Sequence, residues 1–436
     1  METNMVTTAG SLLDKGKLFL KAVIIFFMAL GLWIPSFFIN DVIRERETRQ
    51  QEAIDEVSSK WAGKQTLTGP LLMIPYTEAE KNSKGIVNFV KRKAWFPADK
   101  MEIGSVIVPD IKHRGIYQVT VYSSKITISG SFNEIRWKEL NVPAENILWN
   151  EASLVFAVSD NIRGINEDVT LNWDTAHIFF NPSAQDEPAL RDALSATIPL
   201  SVEASALKHP FTIQFNLNGA EEFMVTAAAR ENKLAMSSSW KDPSFTGIKL
   251  PDEKTISDSG FTASWKYMNR TIPMVWKDQF FNLNNASFGT RLITPVDGYD
   301  KTARSIKYAL LCIILTFAAF FLIESIYKKP LHLIQYGLAG LALVLFYTLL
   351  LSISEYLGFN LAYLVAGAAT IGLVTWFVGG IMKSSKLGIF IGFVLTVVYA
   401  YIFSIIQLQD FALLMGSVGL FIALAIIMFF SRKLQW

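Results

Sequence analysis

The chain has 436 residues, 51% of them hydrophobic, with 40 Lys+Arg against 38 Asp+Glu. Residues 41–306 hold 30 Lys+Arg and 33 Asp+Glu, which leaves 10 and 5 for the other 170 residues, so charge is gathered in one central block and a single soluble domain is excluded. That block is net acidic and the pI of 8.4 comes from lysines flanking apolar runs, so nucleic acid is not an expected partner.

From the N-terminus, Lys15, Lys17 and Lys21 lead into an apolar run from Phe19 to Ile39. Ala29-Leu30-Gly31 has the small-residue spacing of a signal-peptide cleavage site, but the run continues through Leu32-Trp33-Ile34, so an uncleaved anchor is expected. Next comes "DVIRERETRQQEAIDEVSSKW", with Ala53, Ile54, Val57 and Trp61 on one stripe, which predicts a juxtamembrane helix. Beyond it the period falls to two. "FTIQFNLNG" sets Phe211, Ile213, Phe215 and Leu217 against Thr212, Gln214, Asn216 and Asn218, and "FTASWKY", "VTLNW" and two runs within "YQVTVYSSKITISGSF" alternate in the same way. Such alternation describes half-buried antiparallel strands. Gly69-Pro70, Asn181-Pro182 and Asn218-Gly219 are read as turns, and "DEPALRDALS" (186–195) as a connecting helix or helical edge. A large β-sandwich is expected, with room for distorted or duplicated sheets.

Five further apolar runs follow: Tyr308 to Tyr327, Leu333 to Ser354, Leu361 to Met382, Leu387 to Leu408 and Phe411 to Phe430. Each has the roughly 20 residues a helix needs to cross hydrocarbon, where its peptide groups find no partners but one another. The expected fold class is therefore an α+β membrane protein with six transmembrane helices, one N-terminal anchor and five C-terminal, around a large all-β sandwich-like periplasmic domain. The expected division is 1–18 cytoplasmic, 19–40 anchor, 41–306 periplasmic β-rich domain with its juxtamembrane helix, and 307–436 the five-helix bundle.

Orientation is read from the short loops. Lys15, Lys17, Lys21, Lys328, Lys329, Lys383, Lys386, Arg432 and Lys433 fall at one set of ends, and the opposing loops around Glu355 and Asp410 have none, which places both termini in the cytoplasm. Arg44, Arg46, Arg49, Lys301, Arg304 and Lys307 adjoin the long translocated domain, where this rule is weak. Glu355, beside Gly358 and Asn360, is read as exposed in an outer turn, because a carboxylate at mid-bilayer costs about 2.5 to 3.5 kcal/mol. Glu324 is read as paired with Lys328 one turn on. No ionisable group is then left near a helix centre, which weighs against ion-coupled transport. Gly388 with Gly392, and Ala362, Ala366 and Thr370, are small residues at four-residue spacing and are read as helix packing.

The chemistry of catalysis is missing from the sequence. Zincin, Walker A, nucleophile-elbow, S-x-x-K and Cys-x-x-Cys spacings are absent, and the single Cys312 cannot form an intrachain disulfide. His113, His177, His209 and His332 are far apart and are read as polar surface groups, with His332 in a cytoplasmic turn. Asp160 with Arg163 in "VSDNIRGI" is the most suggestive acid, and turn-shaping is its expected role. The expected catalytic, cofactor-binding and metal-binding sets are accordingly empty, with no cofactor.

Four segments, "HRGIYQVTVYSSKITISGSF", "VSDNIRGI", "FGTRLITPVDGYDKTARSIKYALL" and "QYGLAGLALVLFYTLLLSISEYLGFNLAY", together with "GPLLMIPY" at 69–76, resemble the CreD family of bacterial inner-membrane proteins. The family's HPSF element stands here as Asp242-Pro243-Ser244-Phe245, and its His-Pro as His332-Leu333, departures that discourage assigning chemistry to those histidines. What the resemblance implies is a role in cell-envelope integrity, tolerance to colicins, response to envelope and β-lactam stress, and regulation by a two-component system. The expected function is that of a non-enzymatic envelope protein whose periplasmic domain binds a protein, lipid or glycan, with the bilayer as its other partner. The alternative is a transporter or lipid-handling protein that uses the C-terminal bundle. An enzymatic reading resting on Asp160 and Arg163 ranks last.

Overall fold

The computed structural model describes residues 2–81, 87–185, 188–277, 281, 283, 286–292, 298–327, 329–408 and 411–431. Its helices are α1 (Glu2–Trp61), the single turn α2 (Asn161–Gly164), α3 (Gly298–Lys307), α4 (Ala309–Tyr327), α5 (Leu333–Leu357), α6 (Phe359–Ile381), α7 (Ser385–Gln407) and α8 (Ala412–Ser431). The strands begin with β1 (Gln65–Lys81), β2 (Val87–Pro97), β3 (Lys100–Arg114), β4 (Tyr117–Phe132) and β5 (Ser153–Val158). Then come β6 (Thr170–Trp173), β7 (Ala176–Phe179), β8 (Asn181–Ala184), β9 (Asp192–Thr197), β10 (His209–Ala220) and β11 (Glu222–Thr226). The last are β12 (Glu231–Ser238), β13 (Pro243–Gly247), β14 (Glu253–Ser257), β15 (Gly260–Met268), β16 (Trp276–Lys277) and β17 (Ser287–Leu292). The chain packs as two units, Met1–Gln50 with Val296–Trp436, and Gln51–Pro295.

The β unit is a sandwich. One nine-stranded sheet runs β13-β17-β11-β1-β5-β9-β8, with β2 beside β1 and β16 beside β2; the other, eight-stranded, runs β14-β15-β12-β3-β4-β10-β6-β7. Pairing is antiparallel except for β1 with β11 and β3 with β12. Alternation decides which side chains go inside. Ile103, Ile126, Ile128, Ile213 and Phe215 of the eight-stranded sheet share one apolar core with Leu72, Leu154, Phe156 and Phe223 of the other. Phe156 meets Phe215 across the layers with ring centroids 5.4 Å apart, and Trp265 meets Phe288 at 6.2 Å. Burial of apolar surface, at about 25 cal/mol per Å², is what the alternating pattern supplies. The end of α1 also belongs here, since Ile54, Val57 and Trp61 pack on Val119, Val121 and Ala220, as the stripe predicts.

Local expectations fail in five places. Gly69-Pro70 is not a turn but lies inside β1, at a bulge where pairing with β5 shifts between Thr68 and Leu71. Gly69 has φ +97°, and a Cβ there would sit 2.9 Å from the Val155 carbonyl oxygen, so the bulge needs glycine. Asn181-Pro182 opens β8 and Asn218-Gly219 lies within β10; the chain turns instead at Glu221, with φ 59°. "YQVTVYSSKITISGSF" forms one strand, β4, not two. In the 186–195 segment Asp186 and Glu187 lie outside the described residues, Pro188–Leu190 is a single connecting 3-10 turn, and Asp192–Thr197 is a strand because β5 and β8 saturate its backbone on both sides.

In the helical unit, five helices among the described residues are long and apolar enough to cross a membrane: Leu20–Trp61 within α1, α4, α5, α6 and α7. The sixth expected span, Phe411 to Phe430, falls on α8, whose described apolar stretch, Leu414–Ile426, is shorter. Anchor and juxtamembrane helix are one continuous α1. Helix α3 has no counterpart in the sequence reading. It is amphipathic and buries Tyr299, Thr302, Ser305 and Ile306.

Candidate functional site

Among its described residues the helical unit holds two enclosed carboxylates, one toward each end of the bundle. Glu324, near the end of α4, is 7% exposed. Its partners are the Lys21 ammonium of α1 and the Tyr336 hydroxyl of α5, which donates to Oε2 at 2.9 Å. Lys21 also donates to the Leu331 carbonyl at 2.6 Å. The expected partner, Lys328, lies outside the described residues, as do Asp410, Arg432 and Lys433. The ring of Tyr336 is held by Phe317 and Phe320, with centroids 5.5 and 5.7 Å away. A buried carboxylate needs this pairing, since its desolvation is otherwise uncompensated.

Glu355 corrects the reading of an exposed turn. Helix α5 continues to Leu357, the break falls at Gly358 (φ +74°), and the Glu355 side chain is only 10% exposed. It accepts from the Tyr299 hydroxyl of α3 at 3.1 Å and pairs with Arg46 of α1, Nε to Oε1 3.5 Å. The sequence could not place it, because α3 was not anticipated and the pairing is tertiary. Glu355 thus joins α1, α3 and α5.

Between these ends the interior is apolar, aromatic and closely packed. Ala362, Ala366 and Thr370 are buried on α6, where Tyr363 donates to the Tyr399 carbonyl of α7 at 2.9 Å. A Cβ at Gly388 would lie 2.9 Å from both Gly379 Cα and the Thr375 carbonyl oxygen, and one at Gly392 2.4 Å from Thr375 Oγ1. The small residues therefore serve α6–α7 contact, as their spacing predicts. Cys312 is a buried free thiol.

In the β unit, Asp160 shapes a turn. Its carboxylate caps α2 by accepting from the Arg163 backbone N–H at 3.2 Å and binds the Arg163 guanidinium at 2.9 Å, while Gln65 holds its backbone. Nothing about this arrangement opens a cleft. His209 departs from the surface reading: it is 4% exposed and stacks on Trp173 at 5.2 Å. Its Nδ1 faces Asp174 Oδ2 at 2.7 Å and its Nε2 the Ala204 carbonyl at 2.8 Å. His113 sits on β3, His177 on β7, and His332 caps α5, so the histidines are not brought together. Among the described residues no cluster of three or more His, Cys, Asp or Glu is placed to hold a metal. Burial, then the charge of Glu222, holds the Tyr122 phenol well above its ordinary range, and it donates to the Glu222 carbonyl at 2.9 Å.

The outer face of the eight-stranded sheet carries an open trough of about 490 Å³. Register makes it: Ala235 lies beside Gly104 and Ser264, and Gly104 beside Thr127, so small side chains form the floor. Lys125, Glu253 and the half-exposed Val106 line its sides.

The segments that carry the family resemblance fall mostly on packing positions. Leu71, Leu72, Ile74 and Tyr76 of "GPLLMIPY" are fully buried, and Phe245 of the Asp-Pro-Ser-Phe element packs edge-on against Phe261 and Trp265, each at 5.7 Å. A family model described as "Inner membrane protein CreD" matches residues 17–436. The chain is 31% identical over 437 residues to Inner membrane protein CreD of Escherichia coli (strain K12), covering 97% of this chain and 94% of that one. By both measures the chain belongs to the CreD family of inner membrane proteins.

Proposed function

We propose that the protein is a non-enzymatic envelope-integrity protein with six membrane spans, α8 being the sixth, both termini in the cytoplasm and residues 41–306 in the periplasm. Its β unit binds an envelope component, and its expression is governed by a two-component system, with colicin tolerance and stress response as the outward role. The observation that supports the orientation is the sorting of charge along the bundle. Lys21 reaches Leu331 and Lys329 reaches the Met382 carbonyl at 2.6 Å, so the lysine-bearing loops share one end, while Glu355 closes the other. The trough on the eight-stranded sheet supports the binding role, being a concave, hydroxyl-lined surface with Lys125, Lys254 and Glu253 along it.

Exposed Ser259 replaced by cysteine should be labelled by a membrane-impermeant thiol reagent in intact spheroplasts, and labelling only after lysis would sink the orientation. A photo-crosslinker at Thr127 of the full chain should capture a lipid, a glycan or a protein from living cells. Turnover of envelope lipids or peptidoglycan fragments by the purified chain would remove the non-enzymatic part. The transporter alternative gains from Glu324 and Glu355 being enclosed, contrary to the sequence reading. Both are ion-paired toward the helix ends, which favours a structural role for them.

A further inference from the structure

The three-residue connection Met382–Ser384 between α6 and α7 is unusually tight. The Lys383 N–H bonds Gly380 O and the Ser384 N–H bonds Gly379 O, so the last carbonyls of α6 are satisfied by the turn itself. That leaves Lys383 at the apex and Lys386 in the first turn of α7, both exposed. Lys329, from the connection between α4 and α5, bonds the carbonyl of Met382, the residue before Lys383, at 2.6 Å. Two loops are thus tied together with three ammonium groups at one end of the unit. Among the described side chains no acid offsets them there, since Glu355 is the only Asp or Glu between Glu324 and Asp410 and lies at the opposite end of α5, and Glu324 is taken by Lys21.

Below this cationic end, α7 presents an apolar stripe. Lys386, Phe390, Phe393 and Val397 follow one another at helical spacing, with Phe390 50%, Phe393 65% and Val397 52% exposed. Charge above and an exposed apolar column below, on the same face, match an anionic amphiphile end to end. A free anion would use only the head of such a surface. We propose that Lys329, Lys383 and Lys386 bind the headgroup of one anionic phospholipid, whose acyl chain lies along Phe390, Phe393 and Val397. The proposal requires only the membrane placement of the helices, and stands whichever way the chain is oriented and whatever the β unit binds.

The test uses the full chain in neutral detergent, titrated with phosphatidylglycerol, phosphatidylcholine or inorganic phosphate, with bound lipid counted by native mass spectrometry. Phosphatidylglycerol should be retained well above phosphatidylcholine, and Lys386→Gln should lower its retention about fivefold, the effect of one lysine at an anionic surface. Lys383→Gln should act alike, whereas Lys208→Gln, an exposed lysine of the β unit away from the trough, should change nothing. Lys386 is exposed and makes none of the described contacts of the fold, so its replacement leaves the protein folded, which the thermal midpoint checks. Equal retention of the two lipids, full retention by Lys386→Gln, or displacement of the lipid by millimolar phosphate would each overturn the assignment.

Discussion

Glu355 shows how much a single carboxylate can depend on residues that the local sequence does not mention. Its neighbours Gly358 and Asn360 describe an outer turn, yet Arg46 and Tyr299 enclose it. Replacing it by alanine should destabilise the full chain in detergent by about 1 to 3 kcal/mol, because a hydroxyl and a guanidinium lose a charged acceptor. Glutamine, which still accepts from Tyr299, should cost less. Matched thermal midpoints for Glu355→Ala and the parent chain would show that the pairing carries no stability. His209 is the same lesson in the β unit, since stacking on Trp173 and bonding to Asp174 and Ala204 O are visible only in three dimensions. By contrast Asp160 was legible, because its cap partner Arg163 is three residues away.

At the level of elements, regular alternation was enough to find β10, β15 and β6, and sustained apolarity enough to find α4 to α7. What escaped were elements whose signals conflict. Gly69-Pro70 looks like a turn because a glycine with φ above zero serves some bulges as well as some turns, and only the partner strand distinguishes them. Helix α3 escaped because its buried face includes Thr302 and Ser305, which read as loop residues. The contact between α6 and α7, in turn, was legible in its small residues. Gly388→Ala should destabilise the chain by about 1 to 3 kcal/mol, since its Cβ would meet backbone on the facing helix. Gly372→Ala, with open space around it, should be neutral or stabilising by comparison. Equal effects of the two in a thermal melt would mean that the close approach is not under strain from side-chain volume.

The molecule as a whole divides where the sequence changes composition, although the helical unit takes in residues 41–50 and α3, which the sequence reading gave to the central domain. Two separately packed cores, one of strands and one of apolar helices, do not meet the conditions for a single cooperative transition. Thermal unfolding in detergent should show two steps, the near-ultraviolet signal of Trp173 and Trp265 in the sandwich lost apart from the far-ultraviolet helical signal. Coincident curves would indicate that the two units unfold as one.

The one thiol of the chain has a practical corollary. Cys312 is sealed among the helices at 1% exposure, so the wild-type protein is a silent background for maleimide chemistry, and signal from an engineered cysteine belongs to that position alone. Conversely, any slow modification of Cys312 itself clocks how often the bundle breathes, because a thiolate can react only once solvent and reagent gain entry.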